Sequence, residues 1–295
     1  MQFRIDLVFE VQYRDCIDFC NKGLIYTMKI LFLGTGAADY NIDQRVPGKE
    51  FRRYSSALIT SNTGEKLLID PGPHIFDYTE MNNCSELFDG LNGIIVTHSH
   101  PDHFSPKNAV KLLEKYDADI YGDDAVLRKF IRENKKSGCT LNISDRFHKI
   151  RKAEKINIGS FTVMAVHSNH ATGDPHEVTL NYCVFADGRS LFYGLDGAWM
   201  LKETYHLIKD ICFDTMVLEI TVGDSPDDFR IFEHNNIAMA VMMKNMFLKN
   251  GVADAHTHFI GSHLARTLHK SHSEVAAALK QYNIDVAFDG MEAVI

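Results

Sequence analysis

Four side chains of types that bind metal ions lie within six consecutive residues. The segment THSHPDH, residues 97–103, contains His98, His100, Asp102 and His103. Imidazole nitrogens and carboxylate oxygens bind ions such as Zn²⁺ at about 2.0–2.2 Å. His98 and His100 would point the same way from a strand, and the loop after them would deliver Asp102 and His103. The spacing therefore predicts a metal site with enough ligands to divide between two ions.

The His-x-His-x-Asp-His pattern of residues 98–103 resembles the signature of metallo-β-lactamase-fold hydrolases. Further landmarks of that family follow in the expected order, so the resemblance extends over about residues 28–295. It implies an α/β (α+β) fold, a single four-layer αββα sandwich, that holds two divalent metal ions. Zn²⁺ is the first expectation, with Mn²⁺ or Fe as alternatives, because these ligands serve all three.

The resemblance also assigns residues at the ends of later strands. Asp70, in LLIDPGP, matches an aspartate that supports the ligands by hydrogen bonding. Asp196, in FYGLDGAW, matches the aspartate whose two oxygens bridge both ions. His170 matches the third motif. His167 competes with it, but His167 sits inside the strand pattern, whereas His170 lies just beyond it.

The last ligand is expected to be a histidine after the penultimate strand. The segment ADAHTHFIGSH offers His256, His258 and His263. His258 fits the family's Thr-His-apolar pattern, and His256, which would share its strand face, remains the alternative. The expected ligands are His98, His100 and His170 for one ion, Asp102, His103 and His258 for the other, and Asp196 between them.

Two divalent ions about 3.5–4 Å apart can hold a reactive hydroxide between them, which Asp102 would orient or deprotonate. The stretch from Met216 to Val241 resembles tRNA 3′-processing endonucleases and related phosphodiesterases. This resemblance points to Glu219 and His234, because a carboxylate raises the pKa of a neighbouring imidazole, which can then protonate an alkoxide leaving group.

The segment FRRYSSALI also resembles the opening of these phosphodiesterases. Arg52 or Arg53 could therefore clamp a phosphate through the guanidinium fork. The alternative is a solvated basic pair.

We therefore predict a phosphodiesterase for a small cyclic-phosphate or nucleotide-like substrate, resembling the phosphoribosyl cyclic phosphate phosphodiesterase branch. A lactonase or thioesterase on the same ions is the first alternative. A non-hydrolytic diiron redox protein is the second, and His100 argues against it because diiron relatives usually carry Glu there.

Composition limits the partners. The net charge of −8 does not suit a phosphate backbone, so no stable nucleic-acid partner is expected. No run approaches the ~20 apolar residues of a membrane span. Six scattered cysteines without a CxxC pair fit reduced thiols in a cytoplasmic protein. The expected partner is a small phosphorylated molecule, and a homodimer stays open.

The elements that would position these residues alternate along the chain. Residues 1–27 are read as an N-terminal extension of uncertain status, or as an extra strand and helix, and residues 28–295 as the hydrolase domain. Apolar patterning predicts a hairpin around residues 62–64 and strands that end in polar residues at 93–100, 161–168, 181–187, 190–196 and 214–220. It predicts helices over 106–116, 123–134, 235–251 and 272–282. Further strands are predicted over 118–122, 252–260 and 285–295.

Overall fold

A computed structural model describes residues 27–40, 48–138 and 140–295. The predicted extension, residues 1–27, lies outside these ranges apart from Thr27, and so does Cys139.

The strands and helices that the sequence pattern predicts appear in the predicted order, with further strands and helices between them. The strands are β1 (Lys29–Gly34), β2 (Ser56–Thr60), β3 (Lys66–Ile69), β4 (Leu91–Ile95), β5 (Asp119–Gly122), β6 (Phe147–Lys149), β7 (Lys155–Ile158), β8 (Phe161–His167), β9 (Leu180–Ala186), β10 (Arg189–Gly194), β11 (Thr215–Glu219), β12 (His258–Ser262), β13 (Ile284–Val286) and β14 (Glu292–Val294). The helices are α1 (Ile75–Met81), α2 (Pro106–Lys115), α3 (Asp124–Ser137), α4 (Ile143–Arg146), α5 (Lys202–Ile208), α6 (Ile237–Asn250) and α7 (His272–Lys280).

The strands build two seven-stranded mixed sheets. The first has the order β14-β1-β2-β3-β4-β5-β6, and the second has the order β13-β12-β11-β10-β9-β8-β7. In the first sheet β3, β4, β5 and β6 are parallel to one another. In the second, β10, β11, β12 and β13 are parallel.

The sheets pack face to face and carry helices outside, which confirms the predicted αββα sandwich. Strand β8 illustrates this layering, because its residues alternate between two apolar cores. Val163 and Ala165 face the apolar layer between the sheets, and Met164 and Val166 face the layer that includes Ile237 and other residues of α6. A third apolar cluster joins the first sheet to α2 and α3.

Local signals fix several helix ends. Ser105 caps α2, which starts directly after the histidine-rich loop: its hydroxyl accepts a hydrogen bond from Asn108 N, and proline occupies the first helical position. Gly251 ends α6 with a φ of 77°, a left-handed conformation that glycine adopts without strain. The start of α2 agrees with the predicted segment 106–116, and the end of α6 agrees with the predicted segment 235–251.

Three predicted strands are wrong in their bounds. The strand expected over 93–100 is β4, which ends at Ile95, so His98 and His100 lie in the loop after it and not on a strand face. The strand expected over 252–260 begins only at His258 and ends at Ser262. The terminal segment 285–295 is two strands: β13 joins the second sheet, and β14 pairs with β1 in the first. Gly290, with a φ of 90°, lies in the turn that carries the chain between the sheets.

Among the described residues, we find no helix whose length and apolar character would let it cross a membrane.

Candidate metal centre

The candidate site lies where strands of both sheets end. β8, β10, β11 and β12 run in one direction, because β9 is antiparallel to both β8 and β10 and the last three are parallel. Residues after such strands gather at one edge of the sheet. They are Asp70 after β3, His98 after β4, His170 after β8, Asp196 after β10, Glu219 at the end of β11, and His263 directly after β12.

Three of these residues have left-handed backbone conformations. The φ angles are 59° at Asp70, 49° at Asp196 and 58° at His263. Residues other than glycine rarely adopt such angles, although aspartate and histidine tolerate them better than most. Strained conformations of this kind concentrate at functional sites, because the surroundings hold a side chain in a required direction.

The first group of ligand types contains His98, His100 and His170, whose ring nitrogens lie within 4.8 Å of one another. His170 Nε2 is 3.2 Å from His100 Nδ1. His98 is fully buried, its Nδ1 lies 3.0 Å from Thr97 Oγ1, and its Nε2 has no hydrogen-bond partner. A buried polar nitrogen without a partner is costly, so its presence points to a ligand that it binds.

The second group contains Asp102, His103 and His263, all buried. His103 Nε2 lies 3.3 Å from His263 Nε2 and 3.5 Å from Asp102 Oδ2. His263 Nε2 lies 3.9 Å from the same Asp102 oxygen. Two nitrogens and one carboxylate oxygen that face a common point make a donor set suited to one divalent ion.

Asp196 lies between the two groups. Its Oδ2 is 2.7 Å from His103 Nε2, and its Oδ1 is 3.3 Å from His263 Nε2. It also forms a group of potential ligands with His98 and His103. Asp196 Oδ2 is buried and, although it lies 2.7 Å from His103 Nε2, the contact does not meet hydrogen-bond geometry. This position fits the predicted bridging carboxylate.

Neighbouring polar groups hold two of the histidines. His103 Nδ1 is 2.7 Å from Asp70 Oδ2, and Asp70 also accepts hydrogen bonds from the backbone and hydroxyl of Thr97 at 2.7 and 2.8 Å. His263 Nδ1 is 2.7 Å from Thr221 Oγ1. Both rings therefore present Nε2 to the site, as metal-binding histidines commonly do. The sequence prediction included Asp70 but gave no role to Thr97 or Thr221, which lie next to predicted residues in the chain.

The electrostatics of the site suit a cation. Burial and the neighbouring His103 hold the pKa of His98 well below its usual value, and burial also lowers the pKa of His100. Burial opposes ionisation of Asp196, but the charges of His103 and His263 outweigh it and hold the pKa of this carboxyl well below its usual range. Neutral imidazoles and an ionised carboxylate are the forms that bind metal ions, so His98, His100 and Asp196 already suit a divalent ion. Burial opposes protonation of His103, but the carboxylates of Asp196, Asp102 and Asp70 outweigh it and raise its pKa well above the usual value, so a bound ion would displace the His103 proton.

The prediction of His258 as the last ligand is wrong. His258 begins β12 and pairs with Thr215, the first residue of β11, so it lies at the opposite edge of the sheet from the site. Its Nε2 is 2.8 Å from Asp285 Oδ2, and its side chain is 35% exposed. The alternative His256 is exposed and precedes the strand. Because β12 begins later than predicted, its carboxyl end delivers His263.

The structure also separates His167 from His170. His167 is the last residue of β8, and its Nδ1 lies 2.8 Å from Glu203 Oε1, away from both ligand groups. His170 is the one that reaches His98 and His100.

Replacing His263 should therefore affect metal binding, whereas replacing His258 should not. We expect His263→Ala to lose about one equivalent of divalent ion, because it removes one of three ligands of the second group. His258→Ala, the matched control, should retain the wild-type metal content. Metal analysis after reconstitution and desalting measures both, and the opposite pattern would restore His258 as the ligand.

Glu219 and His234 meet beside the two groups, as the sequence predicts. His234 Nδ1 lies 3.1 and 3.2 Å from the two Glu219 oxygens and 3.6 Å from Asp196 Oδ1. Glu219 is fully buried and accepts a hydrogen bond from Gly197 N at 2.6 Å. Burial opposes protonation of His234, but the adjacent Glu219 carboxylate outweighs it and raises the pKa of His234 to about 9.

Arg52 is neither the phosphate clamp nor the solvated residue that the sequence suggested. It is 2% exposed, and its Nη1 donates to Thr35 Oγ1 at 2.6 Å and to the Ala287 carbonyl at 2.7 Å. Its Nη2 lies 3.1 Å from His272 Nδ1. These contacts join β1, the C-terminal segment and α7, so the role of Arg52 is structural.

Arg53 is likewise buried in protein contacts. Its Nε donates to Asp77 Oδ2 at 2.6 Å, and its Nη1 donates to Asp289 Oδ2 at 3.2 Å. Asp289 is also buried and accepts a hydrogen bond from the Arg53 backbone. The prediction of a phosphate clamp at Arg53 is therefore wrong, because its guanidinium is committed to two carboxylates.

Comparison with known families places most of the chain in one of them. The family described as the β-lactamase superfamily domain matches residues 65–282. Among curated proteins, the anti-Pycsar protein Apyc1 of Bacillus phage vB_BveM-Goe7 is 32% identical over 93 residues. That match covers 32% of this chain and 32% of the phage protein, so it spans about a third of the relative's length.

Solved structures share the fold at low sequence identity. A diphosphatase from the PhnP family aligns with a TM-score of 0.68 and 16% identity, over 91% of this chain and 98% of its own. The short form of human tRNase Z aligns with a TM-score of 0.65 and 19% identity, over 90% of this chain and 99% of its own. These similarities establish a common architecture for all three chains.

Proposed function

Because the chain belongs to the β-lactamase superfamily, we propose that it is a metal-dependent hydrolase that cleaves phosphodiesters in small cyclic-phosphate or nucleotide-like substrates. The convergence of the two ligand groups on Asp196, with His98 Nε2 and Asp196 Oδ2 buried and lacking hydrogen bonds, carries this proposal.

The proposed ligands follow from the two groups. His98, His100 and His170 would hold one divalent ion, Asp102, His103 and His263 would hold the other, and Asp196 would contact both. Zn²⁺ is the ion we propose first, because imidazole and carboxylate ligands suit it, and Mn²⁺ or Fe remain alternatives. When bound, two such ions would make a bound water acidic and polarise the phosphoryl oxygen of the substrate.

Asp102 and His234 would handle the protons. Asp102 would orient the attacking water and accept the proton that it loses as its oxygen bonds to phosphorus. The bond from phosphorus to the leaving oxygen then breaks, and His234 would donate its proton to that oxygen. Since His234 Nδ1 faces Glu219, its Nε2 is the nitrogen we assign to this transfer. Proton exchange with solvent restores both residues.

The Glu219–His234 pair favours phosphodiester over thioester hydrolysis. Lactone opening also expels an alkoxide, so the substrate panel below separates that alternative. An alkoxide expelled from phosphorus is strongly basic and needs a proton donor, whereas a thiolate leaves readily without one. The contact between Glu219 and His234, whose Nδ1 lies 3.6 Å from Asp196 Oδ1, supplies such a donor.

A substrate panel tests the proposal. The protein reconstituted with Zn²⁺ or Mn²⁺ should turn over bis-p-nitrophenyl phosphate and 2′,3′-cyclic nucleotides, and EDTA should abolish both activities. A lactone and a thioester panel run beside it should give lower kcat/KM values than the phosphodiesters. Faster turnover of lactones or thioesters than of any phosphodiester would contradict the phosphodiesterase assignment.

A further inference from the structure

Three large aromatic side chains stand exposed near the candidate site. Phe229 is 76% exposed, Phe232 is 77% exposed and Trp199 is 46% exposed. By contrast, Phe32, Phe88, Phe104, Phe130, Phe161, Phe192, Phe213, Phe247 and Phe259 are among the largest fully buried side chains. We call Trp199, Phe229 and Phe232 the aromatic rim. Exposed apolar side chains on neighbouring loops can mark a binding region.

The rim belongs to the two loops that carry Asp196 and His234. Ala198 N donates to the Glu233 carbonyl at 3.0 Å, which ties the residue before Trp199 to the residue after Phe232. The side chain of Asn235 donates to the Gly197 carbonyl at 2.8 Å. These bonds fix both loops against each other beside the catalytic groups.

The loop that carries His170 contacts the same two loops. Ala198 N also approaches the carbonyl of Asn169, the neighbour of His170, at 3.2 Å, and His234 N donates to the Arg230 carbonyl at 2.7 Å. The rim is therefore continuous with the residues proposed to hold one of the ions.

Trp199 and Phe232 lie within the reach of a nucleoside held at the site. Trp199 follows Asp196 by three residues and Phe232 precedes His234 by two. Since each residue spans at most about 3.6 Å, the Cα atoms of these pairs are no more than roughly 7–11 Å apart. A phosphodiester held at Asp196 could therefore bring a group attached to its sugar to Trp199 or Phe232.

The charges around the rim indicate an uncharged occupant. Asp227, Asp228 and Glu233 lie in the same loop as the two phenylalanines. Arg230 does not offset them, because Asp228 binds its Nε and Nη2, both at 2.8 Å. A second phosphate would be repelled here, whereas the face of a planar base would not.

We propose that the aromatic rim stacks on the base of a nucleotide-type phosphodiester and gives the site its preference for nucleotides over base-free phosphodiesters. This inference rests on the proposed function. Every base has a π-face, and stacking on aromatic side chains tolerates base identity, so the preference should extend across purines and pyrimidines.

The test compares 2′,3′-cyclic AMP with methyl ribofuranoside 2,3-cyclic phosphate, which lacks the base. The ratio of their kcat/KM values is measured for the metal-reconstituted wild type, for the double variant Phe229→Ser/Phe232→Ser, and for Tyr282→Ser. Tyr282 is an exposed aromatic residue between α7 and β13, 40% exposed and far from the site edge, and it serves as the matched control. Analytical ultracentrifugation of all three proteins accompanies the kinetics.

We expect the ratio to fall about tenfold or more in the double variant, since stacking of one base is worth roughly a factor of 5–150. Tyr282→Ser should keep the wild-type ratio. A wild type that cleaves both substrates with equal kcat/KM, or a double variant with an unchanged ratio, overturns the inference and leaves the proposed function standing. If the double variant loses kcat/KM equally on both substrates and changes from dimer to monomer, the inference is overturned, and the rim instead binds a second copy of the chain. A wild type that cleaves neither substrate refutes the proposed function itself.

Discussion

Replacing Asp196 by Asn is expected to lower kcat/KM for phosphodiesters by about 10³-fold, which corresponds to ~4 kcal/mol of lost transition-state stabilisation. Asp196 lies 2.7 Å from His103 and 3.3 Å from His263, between the two ligand groups. Asparagine keeps the shape of the side chain and tolerates the left-handed backbone at this position, but it has no charge and only one oxygen. It therefore cannot contact two cations as a carboxylate does.

Kinetics with bis-p-nitrophenyl phosphate and metal analysis of the same preparations measure this effect. The metal content should fall to one equivalent or less. Asp187→Asn is the matched control, because Asp187 has a φ of 57° and follows a strand, but lies exposed in the turn between β9 and β10. If Asp196→Asn retained two equivalents of metal and activity within tenfold of wild type, Asp196 would not be the shared ligand.

Replacing His234 by Ala is expected to lower kcat by about 10²–10⁴-fold for substrates with alkoxide leaving groups, such as 2′,3′-cyclic nucleotides. The reason is that His234, held by both Glu219 oxygens, is the proposed proton donor to the leaving oxygen. p-Nitrophenolate leaves as a stable anion, so bis-p-nitrophenyl phosphate should lose far less activity.

The dependence on leaving group separates proton donation from damage to the metal centre. The His234→Ala protein should retain two equivalents of metal. His206→Ala, an exposed histidine on α5, controls for loss of an imidazole. Equal loss on both substrates, or no loss on either, would remove His234 from the donor role.

Glu219→Gln should reduce the same activity by a smaller factor. The substitution removes the charge that raises the pKa of His234, while the amide can still hold the ring.

The accuracy of the sequence predictions depends on how local their signal is. His98, His100, Asp102 and His103 are four ligand types in one short segment, and the loop after β4 keeps them close together although the strand ends at Ile95. Glu219 and His234 also meet as predicted, because a strand end and the start of the next helix fix both. The two-sheet architecture followed from apolar runs that each end in polar residues.

The errors come from features that only tertiary structure decides. His258 and His263 lie in the same segment, and the choice between them depends on where β12 begins, which its pairing with β11 sets. When the strand begins later in the chain it also ends later, so the end that faces the site carries His263 instead of His258.

The predictions for Arg52 and Arg53, a phosphate clamp or a solvated basic pair, failed for a related reason. Their partners Ala287 and Asp289 lie more than 230 residues away in the chain, and no local pattern shows that a basic pair is buried. The terminal segment was likewise read as one strand, although its two halves pair with different sheets.

Anomalous diffraction from crystals of the Zn²⁺-reconstituted protein, recorded on both sides of the zinc absorption edge, tests the central claim most directly. The account predicts two zinc peaks about 3.5–4 Å apart. One should lie within about 2.2 Å of ligand atoms of His98, His100 and His170, the other equally near those of Asp102, His103 and His263, and both beside Asp196. No peak at this edge of the sheets, or zinc bound at His258 instead of His263, would contradict it.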